Sequence, residues 1–156
     1  MAEREHIGGL RRRSPGYAED YAAWLQYQVG LMKAGRWVEL DAEHLIDEVE
    51  DLGKSEFSAF VSAIEIILVH MLKWDCQPER RSRSWVGSIV EHRRRLAQAL
   101  EDSPSFKSRR DVAVARAFDV ATARAAAETN LPLTSFPAEN PFDWDAITSR
   151  EYSLDA

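Results

Sequence analysis

The sequence predicts an all-α fold, a four-helix-bundle-like single domain, from three observations. Apolar residues recur at helical spacing along most of the 156 residues. No segment alternates polar and apolar residues convincingly at the period of a β-strand. Glycine and proline breaks divide the chain into four long segments and an apolar tail. We therefore expect a helical domain over residues 17–148, a flexible or disordered arm at 1–16 and a frayed tail at 149–156.

The first helix and its connection follow from apolar spacing and capping residues. Helix one should run from Tyr17 to Ala34, where Gly35 supplies a left-handed stop. A short connection follows, and we expect Trp37 within it to pack as a lid on the core. Asp41 should cap helix two, because its carboxylate can accept hydrogen bonds from the free amides of the first turn.

Helix two should be unusually long. Its apolar stripe continues to about Trp74 through Leu45, Val49, Leu52, Phe57, Phe60, Val61, Ile64, Ile67, Leu68 and Met71. A straight helix of that length would measure about 50 Å, against a diameter of about 40 Å for a compact domain of this size. We therefore expect a bend near Gly53. Gln77-Pro78 should end the helix, because a residue before proline is pushed out of helical geometry.

Two further helices and an apolar tail complete the prediction. Helix three should extend from a serine cap, Ser82 or Ser84, to Glu101. Helix four should cover Arg109 to Thr129 and is rich in alanine, which permits close packing of a neighbouring helix. The tail from Leu131 to Thr148 is too apolar to be free, so we expect it to wrap the bundle.

Composition and charge exclude several functional classes. The net charge of −6 disfavours general binding to nucleic acid, which needs a basic face. Charge is unevenly placed: residues 39–56 hold eight acids and one base, and residues 79–110 hold nine bases and four acids. Mutual pairing of the two helices is the simplest explanation. The single cysteine, the polar N-terminus and the shortness of the apolar runs predict a cytoplasmic protein without a secretion signal or membrane span.

The densest chemistry surrounds the break at Gln77-Pro78. The candidate polar or anion-binding corner consists of His70, Lys73, Trp74, Gln77, Arg80, Arg81, Arg83 and Ser84. The arginines crowd the start of helix three, where the helix dipole disfavours each base by about 0.3–1 kcal/mol. Either the acids of helix two or a bound anion, held by the arginines together with Ser82, Ser84 and free helix amides, should offset this cost. His70 is alternatively a half-buried histidine bonded to a carbonyl or carboxylate, with Lys73 lying over Trp74.

Catalytic and metal chemistry find little support in the sequence. His44, Glu48 and Asp51 share one face of helix two, but the chain lacks the Glu-x-x-His pairs of a di-iron bundle. A metal-dependent hydrolase or nuclease would need Glu48 and Asp51 to converge with His70 and Lys73. Glu48 and His70 would lie about 33 Å apart on a straight helix. We therefore assign no catalytic residue, no metal ligand and no cofactor.

Several groups of residues resemble a known bacterial family, the domain of unknown function 29. The matching residues are Tyr17, Asp20, Trp24, Leu40-Asp41, Glu48 to Gly53, Ser55-Glu56, His70, Leu72 to Trp74, Gln77-Pro78, Ser84-Trp85, Ser103 to Ser105, Phe136-Pro137 and Pro141. The resemblance covers Tyr17 to Ile147. Two positions depart from it, since Asp47 replaces a glutamate and Asn140 stands where a cysteine is expected. The resemblance implies an all-helical domain and no established activity.

These observations favour a non-enzymatic interaction or regulatory module. A partner protein or a second copy of the chain is the expected partner, rather than nucleic acid or a membrane. One alternative is contact with an anion or a nucleic acid through the Arg80–Arg83 corner. The other alternative is the metal-dependent hydrolase or nuclease described above.

Overall fold

The computed structural model describes residues 14–154, and every regular element within them is helical. The α-helices are α1 (Tyr21–Lys33), α2 (Ala42–Cys76), α3 (Arg83–Asp102), α4 (Arg110–Thr129) and α5 (Trp144–Ser149). Short 3-10 helices at Trp37–Glu39, Pro78–Arg80, Pro104–Arg109 and Leu133–Ser135 lie between them. The predicted all-α, bundle-like class is confirmed. Most of the predicted arm falls on residues 1–13, which lie outside the described residues.

Aspartate caps set the starts of the first two helices. Helix α1 begins four residues later than expected, because Asp20, and not Tyr17, opens it by accepting a 3.0 Å hydrogen bond from the Ala23 amide. Asp41 caps α2 as predicted, with the His44 amide donating to its carboxylate at 3.4 Å. A carboxylate in either position satisfies amides that have no partner within the helix and favours the positive end of its dipole.

Helix α2 runs without a break from Ala42 to Cys76, through Gly53. The bend expected there stays a prediction. The helix contains an 18-residue window of mean hydropathy 1.6, half of which is buried inside the fold. Length and composition alone would allow such a helix to cross a membrane, and the core helix of a globular protein has the same signature.

The chain divides into two compact units, one ending at Leu52 and the other beginning at Gly53. We call residues 14–52 the hairpin; it contains α1, the first 3-10 turn and the start of α2. We call residues 53–154 the core unit. Within the described part of the chain, 21 of the 23 buried apolar side chains belong to the core unit, and the hairpin contributes Trp24 and Leu31.

The core unit is packed around the second part of α2, which buries side chains on several faces. Ile64, Ile67 and Leu68 are fully inaccessible to solvent. Helix α4 presents alanines at four-residue spacing, all of them inaccessible, at positions 113, 117, 121 and 125. This spacing places the small side chains on one face, where they allow a neighbouring element to approach closely. Helix α4 then ends at Asn130, in the left-handed conformation typical of helix ends.

The apolar C-terminal segment belongs to the core, as predicted. Phe136, Phe142 and Ile147 are buried in the same cluster as the apolar side chains of α2 and α4. Because each buried side chain of this size contributes about 1.5–3 kcal/mol, the segment is an integral part of the core unit.

Arg93 of α3 fixes the end of this segment through backbone carbonyls. Its guanidinium donates hydrogen bonds to Ile147 at 2.7 Å, Arg150 at 2.8 Å and Ala146 at 3.0 Å. Arg150 in turn forms a two-bond ion pair with Asp75, at 2.6 and 2.8 Å. A cation at the carboxyl end of α5 is favoured by the helix dipole. Residue 150, within the stretch expected to fray, is therefore held by several hydrogen bonds.

Candidate functional site

The structure brings three side chains of the predicted corner into one cavity of about 460 Å³. Lys73, Gln77 and Arg80 line it together with Trp85, Glu128, Thr129 and Asn130. The carboxyl ends of α2 and α4 and the amino end of α3 meet there. The last three residues come from α4 and its cap, which sequence reasoning did not connect with this corner.

The positive charge of Lys73 is balanced by an ion pair with Glu128. Its ammonium group donates a 2.8 Å hydrogen bond to Glu128, and its side chain is 10% exposed. The ammonium lies 4.7 Å from the centre of the Trp85 ring, so the expected stacking partner, Trp74, was wrong. Burial raises the pKa of Glu128, but hydrogen bonds from Lys73 and Arg124 outweigh it and hold this pKa below its usual range. Lys73 therefore has a permanent counterion.

The three arginines of the corner are arranged differently from one another. Arg81 turns back to α2, donating a 3.0 Å hydrogen bond to the carbonyl of Trp74 and lying 4.9 Å from that ring's centre. A cation at the carboxyl end of a helix is favoured, which offsets the cost expected at the start of α3. All three arginines are exposed, and Arg80 alone of the three lines the cavity.

The start of α3 does not form the predicted serine cap. Ser82 occupies the cap position, but its hydroxyl lies 2.8 Å from the hydroxyl of Ser84 and caps no backbone amide. One of these two hydroxyl groups donates a hydrogen bond to the other. The corner thus contains one ion-paired lysine, one arginine that is bonded to a carbonyl and two further exposed arginines. This arrangement offers few free positive charges for binding an anion.

His70 is a half-buried histidine bonded to a backbone carbonyl, which is the alternative to a ligand-binding role that the sequence offered. Its Nδ1 lies 2.8 Å from the carbonyl oxygen of Ile66, one turn earlier in α2. Burial lowers the pKa of His70 below its usual value. The imidazole is therefore neutral at pH 7, with Nδ1 donating its proton to that carbonyl. Trp74, also predicted as a site residue, is a buried core side chain.

The acidic face of α2 is engaged in hydrogen bonds of the hairpin. Among residues 14–154, no group of three His, Cys, Asp or Glu side chains is arranged to hold a metal ion. His44 places Nδ1 2.8 Å from a carboxylate oxygen of Asp41 and stacks on Tyr17, with ring centres 4.1 Å apart. Glu48 accepts hydrogen bonds from tyrosines. These contacts explain the proximity of His44 and Glu48 without a metal.

A polar–aromatic cluster holds the two helices of the hairpin together; its members are Tyr17, Tyr21, Trp24, Asp41, His44 and Glu48. The Tyr17 and Tyr21 hydroxyls donate to the two oxygens of Glu48 at 2.6 and 2.7 Å. These bonds hold the pKa of Glu48 below its usual range and raise the pKa of Tyr17 to about 12. Trp24 donates through Nε1 to Asp41 at 3.0 Å.

The hairpin also exposes an apolar surface, several residues of which sequence reasoning assigned to the core. Eight of the 13 large apolar side chains exposed in the described chain belong to it: Tyr21, Leu25, Val29, Trp37, Val38, Ile46, Val49 and Leu52. Trp37 is 64% exposed, so its predicted role as a lid is wrong. Val49 and Leu52 are 68% and 63% exposed, although they continue the stripe that is buried further along α2.

One signal in the sequence could have revealed this surface. Residues 14–52 carry nine acidic and two basic side chains, a formal charge of −7 with histidine neutral. Residues 53–154 carry 14 of each. A dense single-sign charge next to an apolar stripe is typical of a solvated helix pair rather than of a buried one.

The fold and these sites define a class of protein. It is an all-helical, bundle-like protein whose hairpin exposes an acidic and apolar surface. The chain matches the family described as "Domain of unknown function DUF29" over residues 17–153 and belongs to that family. Neither a curated protein nor a solved structure matches the chain. The resemblance seen in the sequence is confirmed, and it assigns no activity.

Proposed function

We propose that this protein is a non-enzymatic interaction module that binds a partner protein through the exposed apolar surface of its hairpin. One observation carries the proposal: eight large apolar side chains are exposed within 32 consecutive residues, Tyr21 to Leu52. Scattered apolar side chains are normal on a surface, whereas a concentrated group marks an interaction site.

The energetics of the hairpin support this proposal. Burial of Trp24 and Leu31 supplies little of the apolar stabilisation that a helix pair requires. An isolated helix of 13 residues, the length of α1, is marginal in water unless an apolar face is covered. A partner that covers the exposed side chains would therefore both bind to the hairpin and stabilise it.

The anion-binding alternative has weaker support. Lys73 is paired with Glu128, and Arg81 is bonded to the Trp74 carbonyl. Arg80 is the one corner arginine that lines the cavity, beside the carboxylate of Glu128. An anion there would meet one free positive charge and one negative charge.

The test compares captured proteins across matched surface variants. The full chain is immobilised and exposed to a lysate of its source organism, and retained proteins are identified by mass spectrometry. A specific partner should be retained by the wild type and by a Val112→Ser/Val120→Ser control, whose valines are 51% and 52% exposed on α4. It should be lost from Val49→Ser/Leu52→Ser. The proposal is contradicted if both variants retain the same proteins. It is also contradicted if neither the wild type nor either variant retains a specific protein.

A further inference from the structure

We infer that the partner supplies a basic amphipathic helix, which lies along one side of the hairpin against the exposed stripes of α1 and α2. This inference rests on the proposed function and names the chemistry of the partner. Three steps carry it: the pairing of the two helices, the direction of their exposed stripes and the charge at the edge of one stripe.

Contacts between the two helices set their pairing. The Tyr21 hydroxyl donates a hydrogen bond to Glu48. About two turns further along α1, Gln28 accepts a 2.9 Å hydrogen bond from the Asp41 amide. As the residue number rises along α1, the number of the residue that it contacts in α2 or its cap falls. The helices are therefore antiparallel within the hairpin.

The exposed stripes lie on the same side of this antiparallel pair. On α1, the stripe of Tyr21, Leu25 and Val29 lies roughly 90° round the helix from the inward face, at 100° per residue. On α2, the stripe of Ile46, Val49 and Leu52 lies roughly 110° from its inward face, in the same rotational sense.

The helices are antiparallel, and each stripe is displaced from the inward face of its helix in the same rotational sense. The two stripes therefore face a common side of the pair. Because Tyr21 is level with Glu48, the α2 stripe continues the α1 stripe along the pair: Ile46 lies near Tyr21, and Leu52 lies beyond the start of α1. Neighbouring helices pack about 8–10 Å apart, so the two stripes form one shallow apolar strip. From Val29 at one end to Leu52 at the other, the two stripes together extend over about 18 Å. A third helix of about three turns would cover that length, and an amphipathic helix in an apolar groove is a recurrent mode of recognition.

Charge selects a basic occupant. Continuing round α2 from the stripe, the next side chains are Glu43, Asp47 and Glu50, all exposed. The corresponding edge of α1 carries Ala22, Gln26 and, at the end of the helix, the base Lys33, so the acids lie on the α2 side of the surface. Lysine or arginine residues along one edge of the partner helix would therefore lie beside the acids of α2. Complementary charge of this kind sets the orientation and the rate of association.

The same charge disfavours other occupants. Two hairpins, each with a formal charge of −7, would repel one another across a symmetric interface. Anionic lipid surfaces and nucleic acids are repelled for the same reason.

Two synthetic peptides of opposite flanking charge test the inference. Both are amphipathic helices of about 18 residues, five turns, with leucine at positions i, i+3, i+4 and i+7 of each repeat. Lysine flanks the apolar stripe in one, and glutamate in the other. Fluorescence anisotropy of the labelled peptides measures binding to the full chain. We expect the lysine peptide to bind at least about tenfold more tightly and to weaken with added salt.

Matched variants locate the binding. Val49→Ser/Leu52→Ser should lose affinity for the lysine peptide at least about tenfold, while Val112→Ser/Val120→Ser should bind as the wild type does. Glu43→Gln/Asp47→Asn should reduce the preference for lysine. The control Glu101→Gln/Glu139→Gln, which removes two exposed acids of the core unit, should retain that preference.

Several results would overturn the inference. They are equal affinity for the two peptides, affinity that survives Val49→Ser/Leu52→Ser, a wild-type dimer that this variant abolishes, and binding of the wild type to anionic vesicles. If neither peptide binds but Val49→Ser/Leu52→Ser still loses a captured protein, the basic helix is wrong and the proposed function stands. If capture also fails, both proposals are wrong.

Discussion

The hairpin and the core unit are held together by different interactions. The core unit buries 21 apolar side chains and carries equal numbers of acidic and basic groups. The hairpin buries two apolar side chains and relies on hydrogen bonds from tyrosine and tryptophan to carboxylates. Apolar burial is the dominant stabilising contribution in most folded domains. The comparison indicates that apolar burial stabilises the core unit, whereas polar contacts hold the hairpin together and leave most of its large apolar side chains exposed.

The largest expected effect comes from one substitution made at two places on α2. Leu68→Ala should lower the free energy of unfolding of the core unit by about 2–5 kcal/mol, because Leu68 is inaccessible to solvent and its removal leaves a cavity. Leu52→Ala should change stability by less than about 0.5 kcal/mol, because Leu52 is already 63% exposed. Urea denaturation monitored by circular dichroism checks both. Equal losses would show that the exposed stripe is buried in solution.

A second pair of variants separates an engaged arginine from its neighbour on α3. Arg93→Ala removes three hydrogen bonds to carbonyls of the C-terminal segment and should cost about 2–4 kcal/mol. Arg94→Ala, at an exposed position, should cost less than about 0.5 kcal/mol. Hydrogen exchange of α5 amides gives the local readout. Unchanged α5 protection in Arg93→Ala would mean that apolar packing alone fixes the segment.

The hairpin should respond most to loss of its polar contacts. Trp24→Phe removes the donor to Asp41 from a buried side chain and should cost about 1–2 kcal/mol. Trp37→Phe makes the same change at an exposed position and should have almost no effect. Hydrogen exchange of α1 amides distinguishes them. Similar protection in both variants would show that the Trp24–Asp41 bond contributes nothing to the hairpin.

Two tyrosines, one in each unit, should titrate late for different reasons. A hydrogen bond to Glu48 raises the pKa of Tyr17 to about 12, and burial raises the pKa of Tyr152 to about 12. Glu48→Gln should return the Tyr17 pKa towards 10 and leave that of Tyr152 unchanged, as followed by NMR titration of the two rings.

The Tyr17 shift also predicts how the hairpin depends on pH. A pKa raised by folding favours the protonated phenol, so this contribution is complete below about pH 10 and declines as pH rises through about 12. Hydrogen exchange cannot be used at such pH, so near-ultraviolet circular dichroism should follow the loss. Tyr17→Phe is the control, and a loss of equal size in that variant would assign the effect to another group.

The smallest expected effect is a gain in the core unit. The Tyr152 hydroxyl is buried and has no hydrogen-bond partner within the described residues. Tyr152→Phe should therefore stabilise the core unit by about 0.5–1 kcal/mol, since a buried polar group without a partner costs free energy. Tyr27→Phe, in the hairpin, serves as a control with no expected gain. A destabilised Tyr152→Phe in urea denaturation would show that the hydroxyl finds a partner in solution.

Helix positions were predictable because their signals are local. Asp41 caps α2, the Gln77-Pro78 pair follows its end, and Asn130 ends α4, each within about two residues of expectation. Such caps act through neighbours in the sequence. The start of α1 was placed four residues too early, although the Asp20 cap that sets it is an equally local signal.

Burial and the site were less predictable because they depend on distant residues. Val49 and Leu68 continue one apolar stripe, yet one is exposed and the other inaccessible. Periodicity reveals which residues share a face and does not reveal whether another element covers that face. Likewise, the pairing of Lys73 with Glu128 joins residues 55 positions apart, on helices whose register the sequence did not specify.

The exposure of Trp37 has a consequence for optical spectroscopy. Trp24 and Trp74 are almost inaccessible, Trp85 and Trp144 are half-buried, and Trp37 is 64% exposed in the turn at the tip of the hairpin. Collisional quenchers such as acrylamide should therefore reach Trp37 far more readily than the others. Because Trp37 belongs to the exposed apolar surface of the hairpin, a drop in its quenching would report, without any attached dye, that the partner we propose has covered this residue.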